Sequence, residues 1–152
     1  MADTAAHLVD RVLPEVPVRQ WVLTLPYPLR YRCAYDAKLT SEILNLFIRI
    51  LFASLRRRAR KQWGLHKPQG GAVTFVQRFG SAANLNLHLH TLALDGVYEI
   101  TDHGPTRFYP LPPPDDEEVV RVVVGVANKL AKLLKKHGFG QDGDPSESDP
   151  LV

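Results

Sequence analysis

The sequence predicts an α+β domain, with a mainly antiparallel sheet and helices on one of its faces. Three observations carry this. Residues 36–63 and 115–137 place apolar side chains at helical spacing. Residues 72–79 and 84–94 are rich in strand formers, and the second stretch alternates. The order along the chain is strand, helix, strands, helix, with no internal repeat.

The elements follow in order. Residues 1–18 form a lead-in broken by Pro14 and Pro17. Gln20-Trp21-Val22-Leu23-Thr24-Leu25 reads as a strand ended by Pro26 and Pro28. A long helix then runs from Asp36 as N-cap to Trp63, stopped by Gly64 and Pro68. Its apolar residues Leu39, Ile43, Leu46, Phe47, Ile50 and Leu55 share one face. Residues 72–79 form the next strand, Gly80 to Ala83 a turn, and residues 84–94 a further strand. Asp95-Gly96 is a hairpin signal. Residues 97–100 and 106–111 make a short hairpin around His103, Gly104 and Pro105. Pro112, Pro113 and Pro114 stiffen the chain before the second helix. Acidic residues 115–118 sit at that helix's positive end and Lys132, Lys135 and Lys136 at its negative end. Val119, Val122, Val123, Val126, Leu130, Leu133 and Leu134 form its buried stripe. The tail 139–152 is polar and is expected to be mobile, leaving residues 19–138 as the folded core.

The 152 residues suffice for one domain with a core that needs no disulfides. The single cysteine, Cys33, excludes a disulfide framework and a multi-cysteine zinc site. The most apolar run, residues 43–55, is shorter than the roughly 20 residues of a membrane span and contains Arg49. The N-terminus lacks the pattern of a signal peptide, so a cytoplasmic setting without membrane attachment is expected.

The net charge of +3 conceals a gradient. Residues 1–70 hold 12 Lys/Arg against 5 Asp/Glu, whereas residues 111–152 hold 5 against 8. The positive block peaks at Arg56, Arg57, Arg58, Arg60 and Lys61. Such a block suits a phosphate backbone. Taken alone, the block is better read as a solvated helix C-terminus, where cations complement the macrodipole, and it gains weight only beside a nucleic-acid chemistry elsewhere.

The chemistry concentrates in Asn84-Leu85-Asn86-Leu87-His88-Leu89-His90. Alternation puts Asn84, Asn86, His88 and His90 on one face of the strand and Leu85, Leu87 and Leu89 on the other. Histidines at i and i+2 can converge on one metal ion and leave coordination positions open for a substrate oxygen. A hydrogen-bonded surface pair is the plainer alternative, but the flanking asparagines and the leucine-only back favour a wet, functional face. A hairpin with Phe79 opposite Asn84 places Phe75 opposite His88, and Gln77 diagonal to it as a third ligand or a strand-edge hydrogen-bonder.

Two stretches, Arg19 to Arg30 (through Trp21-Val22-Leu23-Thr24-Leu25-Pro26) and Gly71 to Val97 (through His88-Leu89-His90), resemble the rolling-circle transposases of the two-tyrosine type. These are the insertion-sequence-ninety-one and common-region elements, within the HUH endonucleases. The resemblance implies a ferredoxin-like, RRM-like sheet in a bacterial protein. It implies Mg²⁺ or Mn²⁺ on His88 and His90, and Gln77 stands where relatives often have a histidine ligand. The implied activity is DNA transposition: nicking and transfer of single-stranded or extruded DNA at transposon ends through a 5′-phosphotyrosine. Arg56, Arg57, Arg58, Arg60, Lys61, Asn84 and Asn86 would contact that DNA.

The chain also departs from the family. After His90 only Tyr98 and Tyr109 remain, both in expected strands, and no cysteine-rich zinc module precedes the core. Tyr27, Tyr31 and Tyr35 come before the motif in a proline-broken segment and are read as packing or surface residues. The expectation is therefore the metal-binding part of a longer transposase without its nucleophile, or a non-catalytic single-stranded DNA-binding module derived from it. A histidine-triad phosphoesterase is disfavoured because Leu92 stands where the third alternating histidine belongs. A two-histidine phosphodiesterase is disfavoured because no convincing pair of its motifs is present.

Overall fold

The computed structural model describes residues 7, 11–79, 85–100 and 106–139. Among these the elements are β1 (Val18–Thr24), α1 (Tyr27–Tyr35), α2 (Ala37–Trp63), β2 (Pro68–Gln69), β3 (Ala72–Phe79), β4 (Leu85–Leu94), β5 (Gly96–Glu99), β6 (Arg107–Pro110) and α3 (Asp116–Lys136). The expected turn at 80–83, Asn84, the loop around His103 and the tail from residue 140 lie outside the described residues.

Among the described residues every strand pairing is antiparallel, in two three-stranded sheets ordered β1-β4-β3 and β2-β5-β6. The α+β class holds, but the strands divide between two sheets where one was expected. In the first sheet β1 and β3 both run against β4, so they are parallel to each other. Helices α1 and α2 make the crossover between them, a split β-α-β arrangement. Leu87, Leu89, Thr91 and Ala93 of β4 face inward and are buried. Leu87 meets Leu25, Leu29, Cys33, Leu39 and Ile43, while Trp21 and Leu23 of β1 meet Phe47, Val122 and Val126.

Helix α2 forms where its caps say it should. The Asp36 side chain accepts from the Leu39 N–H at 2.9 Å, and Gly64 closes the helix at φ 64°. At 27 residues it spans about 40 Å. That length lets it serve both sheets: Leu39, Ile43 and Phe47 lie under the first, while Leu55 and Ala59 pack with Val97 of the second and with Leu111 just beyond β6.

Helix α1 replaces the proline-broken connection expected at 26–35. Pro28 occupies the first turn, where a missing N–H costs no hydrogen bond. Leu29 and Cys33, one turn apart, are buried; Tyr27, Tyr31 and Tyr35 point to solvent, with the last two rings 5.1 Å apart. Burial pushes the Cys33 thiol up, so it is an inert core group.

Asp95-Gly96 is not a hairpin turn. It is the point where the chain leaves the first sheet for the second, because β4 and β5 pair with different strands. Asp95 takes a two-pronged contact from Arg19 of β1, at 3.1 and 2.6 Å. Its N–H donates to the Pro17 carbonyl and its own carbonyl accepts from Leu111. Glycine follows because β6 passes very close: a Cβ on Gly96 would lie 2.4 Å from the Phe108 ring and 2.5 Å from the Tyr109 carbonyl oxygen.

The expected stripe of α3 is too wide. Val122 and Val126 are buried and Leu130, Leu133 and Leu134 partly so, but Val123 is 59% exposed and Val119 37%. The helix touches α2 and β1 along one side only, and Val119 and Val123 line an apolar groove of about 260 Å³ beside Trp21 and Leu23. Beyond Gly138 (φ 83°), Phe139 turns back onto the core around Leu29 and Cys33.

Gly96→Ala should lower the unfolding free energy in urea by about 1–3 kcal/mol, because the added methyl meets backbone that cannot rotate away. Unchanged stability would mean that β6 does not pass this close to β5 at Gly96.

Candidate metal centre on the open sheet face

The outward face of the first sheet carries Gln20, Val22 and Thr24 from β1, Asn86, His88, His90 and Leu92 from β4, and Val73, Phe75 and Gln77 from β3. From His88 to Ala93 β4 is paired on both edges, with β1 and with β3, which fixes the alternation there. His88 and His90 therefore share the face the sequence assigned them, with ring centroids 5.0 Å apart. Asn86 shares that face, and Asn84 lies outside the described residues.

The register differs from the expected hairpin. Gln77 sits directly opposite His88, and Phe75 opposite His90. A bulge between Gln77 and Phe79 then sets Phe79 opposite Leu85. The shift along the paired region is two residues, so Gln77 keeps its face and moves from diagonal to direct opposition. Its amide nitrogen donates to the Phe79 carbonyl at 3.1 Å, which leaves Oε1 as the accepting atom on that side chain.

Sequence reasoning missed Gln20. Its amide lies 2.7 Å from His90 Nδ1, reaching diagonally from β1. Alternation alone places Gln20 on the outward side of β1; the link to His90 needs the β1–β4 pairing, which no local pattern encodes. Two buried polar atoms lack a hydrogen-bond partner among the described residues, His90 Nε2 and Asn86 Oδ1.

These groups fit a weakly held divalent ion. Two adjacent imidazoles, one with an unpartnered Nε2, supply nitrogen ligands, and Gln77 stands across the strand from them. Among the described residues no cluster of three or more His, Cys, Asp or Glu gathers anywhere. Any ion here would complete its shell with an amide oxygen, water or substrate oxygens, a mixed nitrogen and oxygen set suited to a first-row divalent ion.

The arginine block lies elsewhere. Helix α2 covers the leucine side of the sheet, and its last turns pack against the second sheet. Arg57 ion-pairs with the buried Glu118 of α3, and Arg58 donates to the Pro112 carbonyl. Glu118 also accepts from Ser54 at 2.5 Å and Arg121 at 2.7 Å. Burial pushes the Glu118 carboxyl up, but the Ser54 and Arg57 hydrogen bonds, the Arg57 charge and the Arg121 hydrogen bond outweigh it. The net shift is downward. Arg57, Arg58 and Lys61 line a cleft of about 620 Å³ together with Asp115, Glu117 and Glu118, so its walls carry both signs. Arg60 and Lys61 are exposed on the last turn of α2, and Arg56 is half-buried. Thus Arg57 ties α2 to α3, while Arg60 and Lys61 present charge to solvent.

No family model, curated protein or solved structure matches the chain.

Glu118→Ala should cost about 1–3 kcal/mol, the range for losing hydrogen bonds to a charged group. Because the folded value is lowered, the stabilisation is full above the ordinary glutamate value of about 4.3 and fades as pH falls through the folded value. Denaturant titrations at pH 7 and pH 3 should show the gap between wild type and variant narrowing in acid; a constant gap would remove the carboxylate from this role.

Proposed function

We propose that this chain is a metal-dependent nucleic-acid domain that acts on phosphodiester strands with the open face of its first sheet. The observation that carries the reading is the placement of His88 and His90 side by side on the outward face of a central strand, with one buried imidazole nitrogen unpartnered. The split β-α-β order of the sheet supports a ferredoxin-like, HUH-type fold. Within that class, the residues quoted from 19–30 and 71–97 favour the nicking and strand-transfer domain of a two-tyrosine rolling-circle transposase.

His88 and His90 would hold and orient a divalent ion, with Gln77 as the third protein ligand, and the ion would supply polarisation of the scissile phosphate. The flanking apolar residues Val22 and Phe75, 52% and 41% exposed, give the face a surface on which bases can lie. In the strand-transfer reaction a tyrosine hydroxyl attacks phosphorus, the 3′-oxygen leaves, and the 5′-phosphate stays on the tyrosine. All five tyrosines are described, and the three on a helix lie on α1, which packs through Leu29 and Cys33 against the leucine side of this sheet, opposite the histidines. Tyr98 stacks on Phe108, and Tyr109 packs beside Trp63. That placement favours a second reading for the chain as given: a single-stranded DNA-binding module without its own nucleophile.

The chain should bind a single-stranded oligonucleotide more tightly with Mn²⁺ than without, and His88→Ala with His90→Ala should abolish the difference. DNA affinity indifferent to Mn²⁺ and to both substitutions would sink the reading. A covalent adduct surviving denaturation would mark the nicking domain, and binding without adduct the module. Gln77→Ala should weaken the rise in melting temperature that Mn²⁺ produces without removing it; an unchanged rise would exclude Gln77 as a ligand. Arg60→Ala with Lys61→Ala should reduce the slope of log affinity against log salt by about 1.4 if both contact a single strand. An unaltered slope would leave these two charges as solvent-facing helix-end residues.

A further inference from the structure

We propose that Gln20 is the positioning residue of the β4 histidine pair: its amide, 2.7 Å from His90 Nδ1, turns the ring so that Nε2 faces the ion site. This rests on the metal reading above. Three features of the structure lead to it. Gln20 belongs to another strand and reaches His90 diagonally across the β1–β4 pairing, where Val22 is the direct partner. Its contact is to Nδ1, the nitrogen that a second group must hold if Nε2 is to be a ligand. The nitrogen left over, Nε2, is buried and unpartnered among the described residues, while Gln20 itself is exposed.

A glutamine suits this task because its amide offers both a donor and an acceptor. In the tautomer with the ring proton on Nε2, the Gln20 amide nitrogen donates to Nδ1. For Nε2 to become a ligand, the proton must sit on Nδ1. Rotation of the amide by half a turn brings Oε1 to accept it. The contact survives and the ring need not move. Metal-bound histidines commonly need such an outer partner, and its loss typically weakens metal affinity by about 10- to 100-fold.

The test is calorimetric titration of Mn²⁺ into wild type, Gln20→Leu, Gln20→Glu and the His88→Ala/His90→Ala double variant. ¹⁵N NMR of the His90 ring in the ion-free and Mg²⁺-loaded protein accompanies it. Position 20 is on the surface, so both single variants should fold as wild type does. Gln20→Leu should bind Mn²⁺ about 10- to 100-fold more weakly, and its ion-free His90 Nδ1 resonance should lose the hydrogen-bond shift. Gln20→Glu, an acceptor only, should hold the proton on Nδ1 and bind at least as tightly as wild type. Equal affinity in wild type and Gln20→Leu, with binding lost in the double variant, would overturn the role of Gln20 and leave the metal site standing. Undiminished binding in the double variant, or no Mn²⁺ binding by wild type, would overturn the metal reading and this inference together.

Discussion

The central position of β4 is the constraint on which the rest depends. Strands pair along both of its edges, so its side chains have no freedom to change face. Leucines go in and histidines go out. A slip of one residue would drive two imidazoles into the layer occupied by Leu39, Ile43 and Leu29 and expose the leucines to water. Burying a histidine without partners costs several times what one surface hydrogen bond returns. The apolar packing against the helices thus fixes the geometry of the polar face, and the core specifies the site. The Thr74–Thr91 hydroxyl pair, 2.8 Å apart on the inward side, pins the same register from within.

Much of this was legible along the chain. The caps of α2 were, because Asp36 and Gly64 act through local hydrogen bonding and local backbone conformation. So were the bounds of β3 and the face of His88 and His90, because alternation is a local property. What escaped depended on distant partners. Asp95-Gly96 resembles a turn in isolation; only the approach of Phe108 and Tyr109 and the grip of Arg19 make it a junction between sheets. Helix α1 escaped because two prolines mask a first turn that tolerates them. The exposed valines of α3 escaped because periodicity gives the direction of a face, and its buried width depends on the neighbouring elements.

The candidate site was legible in the residues proposed as ligands and hidden in the contact proposed to position them. His88, His90 and Gln77 came from spacing, pairing and resemblance, and the structure sets Gln77 directly across from His88. Gln20 is a single polar residue in a short strand, indistinguishable locally from any solvent-facing side chain. The arginine block shows the reverse. It is conspicuous in sequence, yet Arg57 is taken up by Glu118 and Arg58 by the Pro112 carbonyl. Charge density along a chain counts cations before the fold has assigned them partners.

Whether the open face of β4 holds a divalent ion is the claim that organises this account. It is tested most directly by titrating Mn²⁺ into uniformly ¹⁵N-labelled protein and mapping the paramagnetic loss of amide signals. Broadening is expected to start at His88 and His90 and to spread first to Gln77, Phe75 and Val22, residues opposite them on β3 and β1. Loss centred instead on Asp115, Asp116 and Glu117 at the start of α3, with the β4 signals intact, would contradict it.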